Sequence, residues 1–295
     1  MDTLSTVFRD IIKQVLILSK SPAVVTEDNV FQEGDENIFP YLDKMVETLI
    51  LPDSGFDGLE NLEKLLSLAE SGKSCLLLLE HYSNMDLSLL SYLVRKAGGR
   101  GSDISRAVIA IAGTKLNEDS PVVSAFASAY TRIIIYPSRS LQGLDAEKDR
   151  AEIVRSNAIN RAAMKALMEK KHSGRLVLLF PSGTRYRSWD PSSKRGVREI
   201  DSYIRTFDHM CLVAINGCVL HVHQGSMEDD EVTREVVRLS AGPVLSCTEF
   251  RDRVRTETDV QDGAADKKQA VADAIMAELE KMHIAGEEKR KQFLK

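Results

Sequence analysis

The chain has 295 residues, 43% of them apolar and 28% charged, with a net charge of −5. That is the balance of a folded globular chain, long enough for one large domain or for one domain with a smaller partner. The negative charge and the 6% aromatic content argue against a general nucleic-acid binder. No apolar run approaches the roughly 18–20 residues that a membrane span requires.

Leu4, Phe8, Ile11, Val15 and Leu18 recur at spacings of four and three and predict an amphipathic first helix. Its polar face carries few Lys or Arg, which favours packing in a bundle over lying on a membrane. After a polar stretch from Ser21 to Asn37, Ile38, Leu42, Met45 or Val46, and Leu49 mark a second helix. Pro52-Asp53-Ser54-Gly55 stops it. Leu59, Leu62, Leu65, Leu66 and Ala69 mark a third, closed by Ser71-Gly72. Residues 1–72 are therefore expected to be a small helical N-terminal domain without strands.

From residue 75 the pattern alternates. Apolar runs predict buried strands at Cys75–Leu79, Ala107–Ala112, Arg132–Tyr136, Arg175–Phe180 and Cys211–Asn216. Helical stretches fall between several of them, at Leu87–Lys96, Pro121–Ala129, Glu152–Lys171 and Val197–Phe207. Thr233–Ser240 and Val244–Cys247 read as antiparallel strands joined through Ala241-Gly242-Pro243. Val271, Ile275, Leu279 and Met282 predict a C-terminal helix whose basic tip, Lys289-Arg290-Lys291, reads as solvated. The acidic run Glu228-Asp229-Asp230-Glu231 also reads as solvated. The expected class is α/β: residues 73–295 form a mixed, mostly parallel sheet flanked by helices, preceded by the helical domain.

Two boxes carry chemistry. His81 and Asp86 form an HxxxxD box directly after the run Leu76 to Leu79. A carboxylate that fixes one imidazole nitrogen leaves the other free to take a proton from an alcohol near neutral pH. The bland alternative makes Asp86 a helix N-cap and His81 a loop histidine. The second box is Phe180-Pro181-Ser182-Gly183-Thr184-Arg185-Tyr186-Arg187. Gly183 permits a tight turn. Arg185 and Arg187, two apart, share a side of an extended chain and suit a phosphate. Lys194, Arg195 and Arg198 follow, giving five basic residues within fourteen. A base plus an anion clamp suggests a hydroxyl on a phosphate-bearing substrate.

Other patterns lead elsewhere. Gly72-Lys73-Ser74 ends like a P-loop, but position 67 is Ser and the segment precedes a strand. His221-Val222-His223 lacks a third nearby ligand, so no metal is expected. No GxSxG nucleophile elbow occurs. Cys75, Cys211, Cys218 and Cys247 show no CxxC spacing and read as reduced core thiols of a cytosolic chain. The start Met1-Asp2-Thr3 lacks the basic lead of a secretory signal.

The HxxxxD box followed by Pro-x-Gly-x-Arg resembles the glycerolipid acyltransferase superfamily. Pro181-Ser182-Gly183-x-Arg185-x-Arg187 is similar to the soluble, plastid-type glycerol-3-phosphate 1-acyltransferases, whereas most membrane-bound lysophosphatidate acyltransferases carry Glu where Ser182 stands. Ala112 to Asp119 and His209 to Leu220 resemble further blocks of that branch. The resemblance implies His81 as base on the sn-1 hydroxyl and Asp86 as its partner. It implies a phosphate held by Arg185 and Arg187, with Arg139 and Lys115 as further cations and Ser182 and Gly183 shaping the turn. Where the branch has a Lys-His pair, this chain has Arg139-Ser140. Implied too are glycerol 3-phosphate as acceptor, an acyl carrier protein or coenzyme A thioester as co-substrate, no other cofactor, and a cytoplasmic or stromal location. A lipid product would require peripheral membrane contact or a soluble carrier. Lysophosphatidate acylation and a non-catalytic lipid- or anion-binding role are the alternatives.

Overall fold

A computed structural model describes residues 2–118, 120–141, 143, 145, 147–225, 229–261 and 266–294. The helices, in chain order, are α1 (Leu4–Val7), α2 (Arg9–Leu18), α3 (Phe39–Leu49), α4 (Leu59–Glu70), α5 (Asp86–Ala97), α6 (Gly101–Ala107), α7 (Thr114–Glu118), α8 (Pro121–Ala127), α9 (Arg150–Lys170), α10 (Ile200–Thr206), α11 (Cys247–Gln261) and α12 (Lys267–Arg290). The strands are β1 (Phe31–Gln32), β2 (Gly55–Asp57), β3 (Cys75–Leu79), β4 (Val108–Gly113), β5 (Arg132–Ile135), β6 (Leu176–Leu179), β7 (His209–Asn216), β8 (Leu220–His221), β9 (Glu231–Val232), β10 (Arg238–Ala241) and β11 (Leu245–Ser246).

Among the described residues, nine strands form one sheet in the order β1-β5-β4-β6-β3-β7-β10-β2, with β11 also pairing β7. The central five, β5-β4-β6-β3-β7, are parallel. β10 and β11 run antiparallel to β7, as the sequence predicts. The sheet is buried on both faces. Leu77, Leu79, Leu176, Leu178 and Ala110 join a core with the first helices, α5, α6 and α8. Leu76, Leu78, Val177, Ile109 and Ile133 join a second core with α9 to α12. Covering both faces is what removes polar alternation from these strands.

Three readings are corrected. The first seventy residues are not free of strands: β1 pairs β5 and β2 pairs β10. Elements of two and three residues are too short to show a period, and their partners lie far along the chain. Arg290 is not a solvated tip. It is buried and bonds Glu287, Glu235 and the Val236 carbonyl. In the acidic run, Glu228 lies outside the described residues, as does Asp119 of the central block; Asp230 is fully buried and not solvated.

Candidate active site

β3 ends at Leu79, in the middle of the sheet, and hands the chain to the loop Glu80–Met85 and then to α5. Strand ends of this kind are where α/β sheets place ligands. Asp86 is the first residue of α5, and the cap position is held by Met85 without a side-chain cap bond. The buried Asp86 carboxylate points back into the loop. Oδ2 accepts from His81 Nδ1 at 2.9 Å and from the backbone N–H groups of Tyr82 (2.7 Å) and Ser83 (2.9 Å). Oδ1 accepts from Ser83 Oγ at 2.8 Å. Four donors fix one carboxylate, and the carboxylate fixes one imidazole nitrogen. With Asp86 ionised, Nδ1 carries the hydrogen and Nε2 is left as the acceptor.

The second box meets the first. Phe180 follows β6, the neighbour of β3, and its ring stacks on the His81 imidazole with centroids 3.9 Å apart. The Tyr186 N–H donates to the His81 carbonyl at 2.8 Å. Gly183 makes the turn between these contacts with φ +64, and a Cβ there would lie 3.0 Å from Val197 Cγ1. Ser182 is buried and donates to the Thr184 carbonyl at 2.7 Å, closing the same turn.

The cations divide. Arg139 and Gly183 line one cavity with His81. Arg185 and Arg187 do not line it, and Lys115 is exposed on α7 outside it. Arg185 Nη1 lies 2.5 Å from Asp230 Oδ2. Burial pushes the Asp230 carboxyl above its ordinary range, opposed by the His223 N–H and by Arg185. Arg187 leans on Thr184 Oγ1 at 3.4 Å, and its N–H donates to Ser193 Oγ. Beyond them, Lys194, Arg195 and Arg198 pair with Glu280, Asp273 and Asp266 around α12. Trp189 is exposed.

Two features lay beyond the sequence reading. One is a cluster behind His81. Buried Glu80 accepts from the Ile215 N–H (2.7 Å), from Tyr82 Oη (3.2 Å) and from His283 Nδ1 of α12 (3.0 Å). The bond to Glu80 raises the His283 imidazole above its ordinary value. Burial and Glu80 hold the Tyr82 phenol protonated. The other is the cavity itself, of about 460 Å³. Its walls are mostly apolar and include Leu87, Val123, Phe126, Ile135, Ala163 and Met164, drawn from four elements on both sides of the sheet. Asn84 stands beside His81 in this lining, and its buried Nδ2 has no hydrogen-bond partner.

Elsewhere, His221 Nε2 contacts Thr233 Oγ1, and among the described residues no three His, Cys, Asp or Glu side chains gather as a metal site. Cys75, Cys211 and Cys247 are buried free thiols, and burial raises Cys75 and Cys211 to about 12. Among the described residues no helix is long and apolar enough to cross a membrane.

A carboxylate-oriented imidazole at a central strand end, opening on a mostly apolar cavity, is an arrangement that can take up a proton beside an apolar ligand. Residues 55–228 match the family model described as Acyltransferase, and the chain belongs to that family. No curated protein matches it. Among solved structures it is similar to the 1-acyl-sn-glycerophosphate (LPA) acyltransferase PlsC from Thermotoga maritima. The identity is 15%, the TM-score is 0.44, and the match covers 93% of this chain and 88% of that one.

Proposed function

We propose that the chain transfers a fatty acyl group from an acyl thioester, on acyl carrier protein or coenzyme A, to the sn-1 hydroxyl of glycerol 3-phosphate. The observation that carries the reading is the His81–Asp86 pair at the cavity wall, with Nδ1 bound to Asp86 and Nε2 free. Nε2 takes the hydroxyl proton while the oxygen attacks the thioester carbonyl. Asp86 stabilises the imidazolium that results. The tetrahedral oxyanion takes a hydrogen bond from the unpartnered Asn84 Nδ2. Collapse breaks the C–S bond, and the leaving thiolate recovers the proton from Nε2. The acyl chain occupies the apolar cavity. Arg139, on the same lining, and Arg187 are the cations proposed to hold the acceptor phosphate; Arg185 is paired with Asp230, and Lys115 lies outside the lining.

Lysophosphatidate as acceptor is the second reading. It bears the same phosphate monoester as glycerol 3-phosphate, so the cations suit either acceptor, and the mostly apolar walls of the cavity suit the acyl chain it already carries. Thiol release from acyl-CoA and acyl carrier protein, with each acceptor in turn and with His81→Ala in parallel, tests both. Release that needs glycerol 3-phosphate and His81 is the expected result. Release only with lysophosphatidate moves the acceptor to the second reading. Equal background in wild type and His81→Ala rejects catalysis altogether.

A further inference from the structure

Arg132 opens β5 and is 2% exposed. The strand register sets Leu77, Leu178, Ala110 and Arg132 side by side across β3, β6, β4 and β5. A guanidinium therefore stands at the end of an otherwise apolar row. Its Nη2 donates to Ser21 Oγ and Gln32 Oε1, each at 2.6 Å. Its Nε and Nη1 are buried and have no partner. No carboxylate pairs with it among the described residues, and burial lowers it to about 10, so it remains cationic at neutral pH. Buried cations left with unused donors are costly, and functional sites are where that cost recurs.

Arg132 lines the same cavity as His81, together with Ala110, Phe126 and Tyr130. The two are far apart. His81 is four residues beyond Leu77, and β5 is three strands from β3. With strand rise and spacing of about 3.3 and 4.8 Å, their Cα atoms lie roughly 20 Å apart. A glycerol phosphate whose hydroxyl touches His81 does not reach so far. A chain threaded along the cavity does, and its far end meets Arg132.

We propose that Arg132 receives an oxygen at the distal end of the acyl chain, so that the preferred donors are acyl thioesters with a terminal carboxylate or hydroxyl. The inference rests on the acyl-transfer reading, because that reading places the chain in the cavity. A methyl end would bury apolar surface but leave Nε and Nη1 unpaired. A carboxylate end would satisfy both donors and neutralise the charge.

The test is displacement of a fluorescent fatty-acid probe from the full chain by methyl dodecanoate, methyl ω-hydroxydodecanoate and monomethyl dodecanedioate. The ester end stands in for the thioester carbonyl and keeps a free carboxylate off the near end. Monomethyl dodecanedioate should bind roughly tenfold or more tighter than methyl dodecanoate, with the ω-hydroxy ester between them. Arg132→Met should abolish or reverse the order. Ordinary partitioning favours the methyl end, so the predicted order is the opposite of the solvent's own preference. Tighter or equal binding of methyl dodecanoate by wild type overturns the inference and leaves the acyl-transfer reading standing. Failure of every ester to displace the probe removes the acyl cavity, and both ideas fall. The comparison among ligands on wild type suffices if Arg132→Met does not fold.

Discussion

Asp86→Asn and Asp86→Ala separate the charge of the carboxylate from its shape. In Asp86→Asn the amide oxygen takes the place of Oδ2 and keeps the N–H groups of Tyr82 and Ser83 and His81 Nδ1, while Nδ2 faces Ser83 Oγ. Charge-assisted bonds become neutral ones, a loss of about 1–2 kcal/mol. In Asp86→Ala the two backbone donors lose their acceptor inside the protein, at about 1–3 kcal/mol each. Urea unfolding should therefore rank wild type above Asn, and Asn above Ala, with several kcal/mol separating the ends. Turnover should respond differently. Both variants lose the counter-charge of the imidazolium, so thiol release should fall by about 10²–10⁴ in each. Near-wild-type turnover in Asp86→Asn, or equal stability of the two variants, would refute the assignment of Asp86 as the partner that holds and charges against His81.

Two further outcomes are expected. Arg185→Ala strands the buried Asp230 and should cost about 3–5 kcal/mol in unfolding experiments, most of it recovered by adding Asp230→Asn; no recovery would show that Arg185 acts elsewhere. His283 has a raised folded-state value through its bond to Glu80, so its contribution is full below about pH 6.5 and is lost as pH rises through the folded value. Unfolding free energy followed from about pH 6 to pH 8 should thus decline more in wild type than in His283→Gln, and parallel curves would remove the pair from the stability balance.

The central strands were legible because burial on both faces writes itself as unbroken apolar runs, as at Leu76 to Leu79. The His81–Asp86 pair was legible because it closes over five residues within one loop. The partners of Arg185 and Arg290 were not, since Asp230 and Glu235 reach them only through the tertiary fold. Asp230 sits in a run of acids that has every local mark of a solvated loop, and one member is drawn inside. The cavity leaves no trace in the sequence because each of its walls comes from a different element, and each wall residue looks like ordinary core. Arg132 reads as the polar edge of a strand until the register shows its apolar neighbours.

The cluster behind His81 has a consequence for the order in which this site comes into being. Glu80 is tied to β7 through Ile215 and to α12 through His283, so the backing of His81 is completed by residues synthesised 135 and 203 positions later. Long-range closures of this kind form late, after the local helices and the first strands have docked. A nascent chain that has emerged only as far as the second box, Phe180–Arg187, already holds His81, Asp86 and Phe180, yet it lacks the strand and the helix that brace them. The His81 imidazole is thus braced only after α12 docks, and the emergence of that helix sets the moment at which the cluster is complete.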